Sequence, residues 1–201
     1  MSAARARRAA SRGYTLIEVM AALGVLAIGA TGVLALQKAT LISNTNARNL
    51  AIANSIAMTW AERLRVDALQ WNEPMRVPDI SSDTDWLALS ATSPFPAKVT
   101  PTEITALGSP SADVLGADIY AGDTWESAFC THVRFRQFTD PVSGTRIWDS
   151  LLRAEIRVVW ERSGNPIDCG ILPLAVDTNP ERFGAVYLTT GVLRNTSEDR
   201  R

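Results

Sequence analysis

Hydrophobic and polar positions divide the chain into three regimes. From Tyr14 to Leu36 the residues are apolar on every side, and Glu18 is the one charge in the run. From Gln37 to Asn72 the pattern becomes one-sided: Leu50, Ala53, Ala57, Trp60, Leu64, Ala68 and Trp71 recur at spacings of three and four. That is a single apolar stripe on a helix. Asn49, Glu62, Arg63 and Asp67 are expected on the opposite, wetted face. No glycine or proline interrupts residues 37 to 71, and Asn72-Glu73-Pro74 is a stop signal. The pattern predicts one helix from about Tyr14 to Asn72.

From residue 129 the period changes to two. "CTHVRFRQF" sets Val133, Phe135 and Gln137 against His132, Arg134, Arg136 and Phe138. "LRAEIRVVWER" places Leu152, Ala154, Ile156, Val158 and Trp160 on one face and Arg153, Glu155, Arg157, Val159 and Glu161 on the other. "FGAVYLTTGVL" reads as a further strand, and "DPVSGTR" and "SGNP" read as turns. Such patterning suits an antiparallel sheet with one face on the helix stripe and one toward water. Residues 73 to 128 hold six of the ten prolines and read as a long connection. Within it "DTDWLALSA" suggests a short helical piece capped by Asp83 or Thr84.

The expected fold class is α+β, a long N-terminal helix packed on a three- to four-stranded antiparallel sheet. Its segments are a basic leader (1–13), an apolar half-helix (14–36), an amphipathic half-helix (37–72), a connection (73–128) and a sheet head (129–201).

Charge refines this picture at the N-terminus. The chain carries a formal net charge of −1, but residues 1–13 hold Arg5, Arg7, Arg8 and Arg12 and no acid. Beyond them 16 basic and 21 acidic residues remain, a net of −5. A head of that sign offers no basic field for nucleic acid. The 23 residues from Tyr14 to Leu36 exceed the apolar core of a secretory signal, which is about 7–15 residues. As a helix they cover roughly 35 Å, enough to cross a bilayer core of about 30 Å. Flanking arginines keep the leader cytoplasmic and place the rest across the inner membrane.

An acid near a bilayer's centre costs about 2.5–3.5 kcal/mol on insertion scales, and a charge such as Glu18 within a span usually has a partner or a function. No Lys, Arg or His lies between Tyr14 and Gln37 to pair with it. A cut after Gly13 would create an α-amine on Tyr14, four residues from Glu18 and on the same helix face. Glu18 is then placed to neutralise either its own chain's amine or that of a neighbour displaced along the axis.

The stretch "RGYTLIEVMAALGVLAIGATGVLAL" resembles the cleavage and methylation signature of type IV pilins and pseudopilins. The resemblance implies leader cleavage by a prepilin peptidase between Gly13 and Tyr14, N-methylation of Tyr14, and filament docking guided by Glu18. Tyr14 departs from the family's usual Phe. The span also lacks the proline that major pilins usually carry near its end, where this chain has Ala35. Gly24, Gly29 and Gly32 read as close-packing positions of a membrane helix, with local unwinding at Gly29 and Gly32 as the alternative. The first third of the chain, through "NARNLAIANSIAMTWAERLR", is similar to the PilV branch of minor pilins. That similarity implies other minor pilins, the major pilin and a tip adhesin as partners.

Pairing the first two predicted strands sets Cys130 opposite about residue 161, with Cys169 just past the strand end. A disulfide at the sheet edge is expected in an oxidising compartment, two free buried cysteines being the alternative.

No catalytic constellation, phosphate loop or metal spacing occurs, so no cofactor and no enzymatic activity is expected. His132 is expected exposed or half-buried on an arginine-rich face with Arg134, Arg136, Arg153 and Arg157, paired to Glu155 and Glu161. Asp113, Asp118 and Asp123 read as solvated acids. Most of Trp60, Trp71, Trp86, Trp125, Trp148 and Trp160 read as packing residues, with Trp86 and Trp148 as candidate exposed anchors. The expected function is a minor pilin that primes, or sits at the tip of, a type IV pilus. A type II secretion pseudopilin and a membrane-anchored periplasmic binding module are the alternatives.

Overall fold

The computed structural model describes residues 14–71, 84, 86–87, 95, 108–124, 126–145, 147–148, 150–170 and 172–194. The leader with Gly13, most of the 73–107 connection including Asp83, and Trp125 lie outside the described residues. Helix α1 runs Leu16–Ala68. Strands β1 (Ser111–Ala112), β2 (Phe129–Gln137) and β3 (Leu151–Glu161) follow, then helix α2 (Leu172–Thr178) and strand β4 (Phe183–Leu193). The four strands form one antiparallel sheet in the order β1-β2-β3-β4. This is the α+β, pilin-like arrangement. The helix is shorter at both ends than its sequence span, because Tyr14-Thr15 forms the cap and residues 69–70 form a turn.

The chain divides into two compact units, residues 1–45 and 46–201. In the first, the described residues are helical from Leu16 onward, and every side chain is exposed. Leu16, Ile17, Met20, Leu23, Val25, Leu26 and Ile28 show most of their surface. The segment is long and apolar enough to cross a membrane.

In the second unit the helix stripe packs on the sheet. Ala53, Ile56, Ala57, Trp60, Ala61, Leu64 and Ala68 share one core with Phe129, Val133 and Phe135 of β2 and with Leu152, Ala154, Ile156 and Val158 of β3. Small residues at Ala53, Ala57 and Ala61 leave room for the sheet's branched side chains. Leu50, placed on the stripe by periodicity, is half exposed. Trp160 lies over Gly184, its β4 partner in register. A Cβ on Gly184 would sit 2.3 Å from the indole, so only glycine fits there.

The sheet's second face differs from expectation. It carries its own small core of Cys130, Val159, Ile167, Cys169, Val176 and Phe183. Helix α2 supplies Val176, and the turn after β3 supplies Ile167 and Cys169. The sequence shows α2 only faintly: "LPLAVDT" is too short for helical periodicity. A proline in the first turn, where backbone N–H groups lack helical partners anyway, was the available signal.

Candidate functional site

Two regions carry the residues singled out by sequence. The first is the start of α1. Tyr14 is exposed. Thr15 precedes the helix, and its carbonyl accepts the N–H groups of Glu18 at 3.1 Å and Val19 at 3.3 Å. Its hydroxyl accepts the Glu18 N–H at 3.4 Å. Thr15 is thus the N-cap and Glu18 the third residue of the helix, the T-x-x-E spacing of a capping box. That spacing is legible in "TLIE", yet it is easily passed over beside the membrane question. An acid in the first turn also complements the positive end of the helix dipole. Among the described residues Glu18 has no ion-pair partner.

The second region is the outer face of the sheet. His132 is buried, not exposed, and so is Arg157. The Arg157 Nε donates to His132 Nδ1 at 3.3 Å, and its Nη1 donates to the Asp177 carboxylate of α2 at 2.6 Å. Phe95 covers the cluster, with the guanidinium carbons of Arg157 and Arg134 at 4.3 and 4.4 Å from its ring centre. Alternation along β2 set His132 on a wet face because a strand pattern cannot foresee what covers it. The cover comes from α2 and from the distant Phe95.

Glu155 is the hub of the remaining arginines. It pairs with Arg134, Arg153 and Arg136. Burial alone would raise its pKa, but the Arg134 hydrogen bond and the three positive charges outweigh it and hold it low. Glu161 does not join this set. It pairs with Arg182 at 3.0 Å, and that hydrogen bond, with those of Ser163 and Asn165, lowers its pKa.

Four further residues, Asp67, Trp86, Arg63 and Asp118, depart from their sequence reading. Asp67, expected in water, is buried, and its Oδ2 accepts the N–H groups of Trp86 and Leu87 at 3.0 and 3.1 Å. Trp86 is accordingly buried, edge-on to Trp60 at 4.4 Å. Arg63 and Asp118 form a two-pronged ion pair at 3.0 and 2.6 Å beside Gly108. Asp113 and Asp123 are the local acids of their turns, accepting the N–H groups of Leu115, Ala117 and Tyr120. Trp148 is exposed and packs loosely on Phe138.

Cys130 and Cys169 are joined by a disulfide with a Cα separation of 5.3 Å. The strand register places Cys130 opposite Val159, two residues short of the position inferred from sequence. The bridge lies within the small outer core rather than at an open edge. No cluster of His, Cys, Asp and Glu suited to a metal occurs among the described residues.

His132 makes the head's stability fall in mild acid. Burial first, and the Arg157 charge second, push its pKa down to about 3, against 6.5 in the unfolded chain. The unfolded state therefore takes up a proton that the folded state refuses. The His132 contribution is complete above about pH 6.5 and is lost progressively as pH falls toward about 3. Between roughly pH 6 and pH 4 the loss is about 2–3 kcal/mol, checked by urea unfolding at stepped pH. His132→Gln flattens that slope; an unchanged slope would place its origin elsewhere.

Residues 8–34 match the prokaryotic N-terminal methylation motif. The motif supports a type IV pilin-like protein, of a pilus or a pseudopilus. Such proteins are structural subunits, and the motif implies processing by a prepilin peptidase and assembly with other pilins. Together with the apolar helix it fits anchorage in the inner membrane before assembly. No curated protein and no solved structure matches the chain.

Proposed function

We propose that the chain is a minor pilin that primes, or sits at the tip of, a type IV pilus. The methylation motif over residues 8–34 carries this reading. In it, residues 1–13 are a cytoplasmic leader removed after Gly13, and Tyr14 becomes the N-methylated first residue. Residues 14–36 hold the subunit in the inner membrane with its head in the periplasm and later pack in the filament core. Glu18 meets the Tyr14 amine of a neighbour. The chain is of the PilV type, and other minor pilins, the major pilin and a tip adhesin are its partners.

The absence of proline from Tyr14 to Leu36 supports a minor subunit over a major one. A secretion pseudopilus uses the same N-terminal chemistry, and cell fractionation separates the two. A pilin appears in sheared surface filaments, and a pseudopilin stays with the envelope.

Mass spectrometry of the N-terminal peptide from native membranes tests the shared core of this reading. The expected peptide begins at methylated Tyr14. A chain still carrying residues 1–13 would sink it. Gly13→Ile blocks processing, because a peptidase pocket built for a residue without a side chain cannot seat a branched one. The uncut precursor then accumulates in the membrane. A Gly13→Ile chain that still begins at Tyr14 would disprove the cleavage site.

A further inference from the structure

Among the described residues strand β4 is an edge strand, and nothing among them covers it. Proteins protect such edges with short strands, charge, proline or a covering loop. The opposite edge of this sheet is protected: β1 has two residues, and the 113–119 loop closes over it through an Ala112–Asp118 bridge. By contrast β4 runs for 11 residues, Phe183–Leu193, with no charge and no proline.

The register shows which backbone groups face outward. The Arg162 N–H donates to the Arg182 carbonyl, and the Arg194 N–H donates to the Ser150 carbonyl. Both pairs lie on the β3–β4 register, so even-numbered residues of β4 are bonded to β3. The N–H and C=O groups of Ala185, Tyr187, Thr189, Gly191 and Leu193 therefore point away from the sheet. Among the described residues they meet only a long contact from the Thr190 hydroxyl to the Gly191 carbonyl, at 3.5 Å. Tyr187 and Leu193 are about two-thirds exposed.

The strand is complementary to itself. Set β4 antiparallel to a second β4 about a two-fold axis at Thr189. Outward-facing residues then meet in pairs that exchange both hydrogen bonds: Ala185 with Leu193, Tyr187 with Gly191, and Thr189 with Thr189. Each large side chain faces a small one, and threonine faces threonine, a favourable cross-strand pair. Tyrosine over glycine repeats what the sheet already does with Trp160 over Gly184. On the helix-facing side Val186 meets Val192 and Leu188 meets Thr190, extending the apolar row. No charge opposes another anywhere along the pair.

We propose that the free edge of β4 is a pairing surface for a second copy of this chain, joining two four-stranded sheets into one about Thr189. The surface belongs to the head and stands apart from the pilus or pseudopilus question.

Cysteine scanning of the full-length chain in native membranes tests it, read on non-reducing gels after mild oxidation. Opposed residues of a hydrogen-bonded pair have Cα atoms about 5.5 Å apart, within disulfide range. Thr189→Cys is therefore expected to link two copies. Thr190→Cys, whose opposite number is Leu188, stays unlinked. Cys130 and Cys169 are bonded to each other and do not interfere. Thr189→Lys sets two ammonium groups against each other and removes the dimer from full-length protein sized in detergent. Thr189 is exposed, so this variant keeps a folded head. Equal linking at both positions, linking at neither, or an adduct with the mass of a different subunit would overturn the proposal. So would a dimer that survives Thr189→Lys.

Discussion

On the proposed function, Glu18→Ala is expected to leave the subunit inserted, cleaved and methylated, and to keep it out of the filament. The carboxylate stands in the first turn of an otherwise uncharged stretch, with no Lys, Arg or His between Tyr14 and Gln37. Alanine removes a charge that lipid disfavours, so the membrane-bound pool does not shrink. On the proposed function the loss would fall on a neighbour's Tyr14 amine, left in an apolar bundle without its counter-ion. Removing one partner of a buried pair costs about 3–5 kcal/mol, roughly a hundredfold or more in incorporation.

The structure adds a control. Glu18 occupies the third helical position behind the Thr15 cap, where glutamine serves as well as glutamate. Glu18→Gln keeps the capping geometry and loses the charge. It is expected to behave like Glu18→Ala in the sheared-filament fraction. Normal incorporation of Glu18→Gln would mean that capping, not charge, is what Glu18 provides.

The second large effect concerns the head. Replacing Cys130 and Cys169 together by alanine lowers its stability by about 4 kcal/mol. The two are 39 residues apart in sequence, and the chain-entropy model assigns a loop of that size about that stabilisation. Domains are commonly stable by only about 5–15 kcal/mol, so the loss is a large share. The bridge also fills the small outer core with Val159, Ile167, Val176 and Phe183. Its removal loosens α2, which carries the Asp177 partner of Arg157. Thermal unfolding of the full chain with and without reductant reads the effect, expected as a fall in Tm of about 8–16 °C. An unchanged midpoint on reduction would show that the cysteines are not paired in the native protein.

Taken residue by residue, the sequence by itself determined the periodic parts of the molecule. The all-round apolar run, the helix stripe through Trp60 and Leu64, and the alternation along β2 and β3 were legible. Each depends on a repeat of 3.6 or two that the next few residues complete. The methylation motif was legible for the same reason: Gly13, Tyr14 and Glu18 lie within six positions. What only the tertiary structure decided is which polar residues stay wet. His132, Arg157 and Asp67 sit on faces that local pattern assigns to solvent. They are buried because distant segments cover them: Phe95 and α2 over the first two, the backbone at Trp86 and Leu87 over the third. A short helix without a full period, a two-residue strand and the strand register that sets Cys130 opposite Val159 were equally out of reach. Burial and register are properties of contacts between parts of the chain far apart in sequence, and no local repeat encodes them.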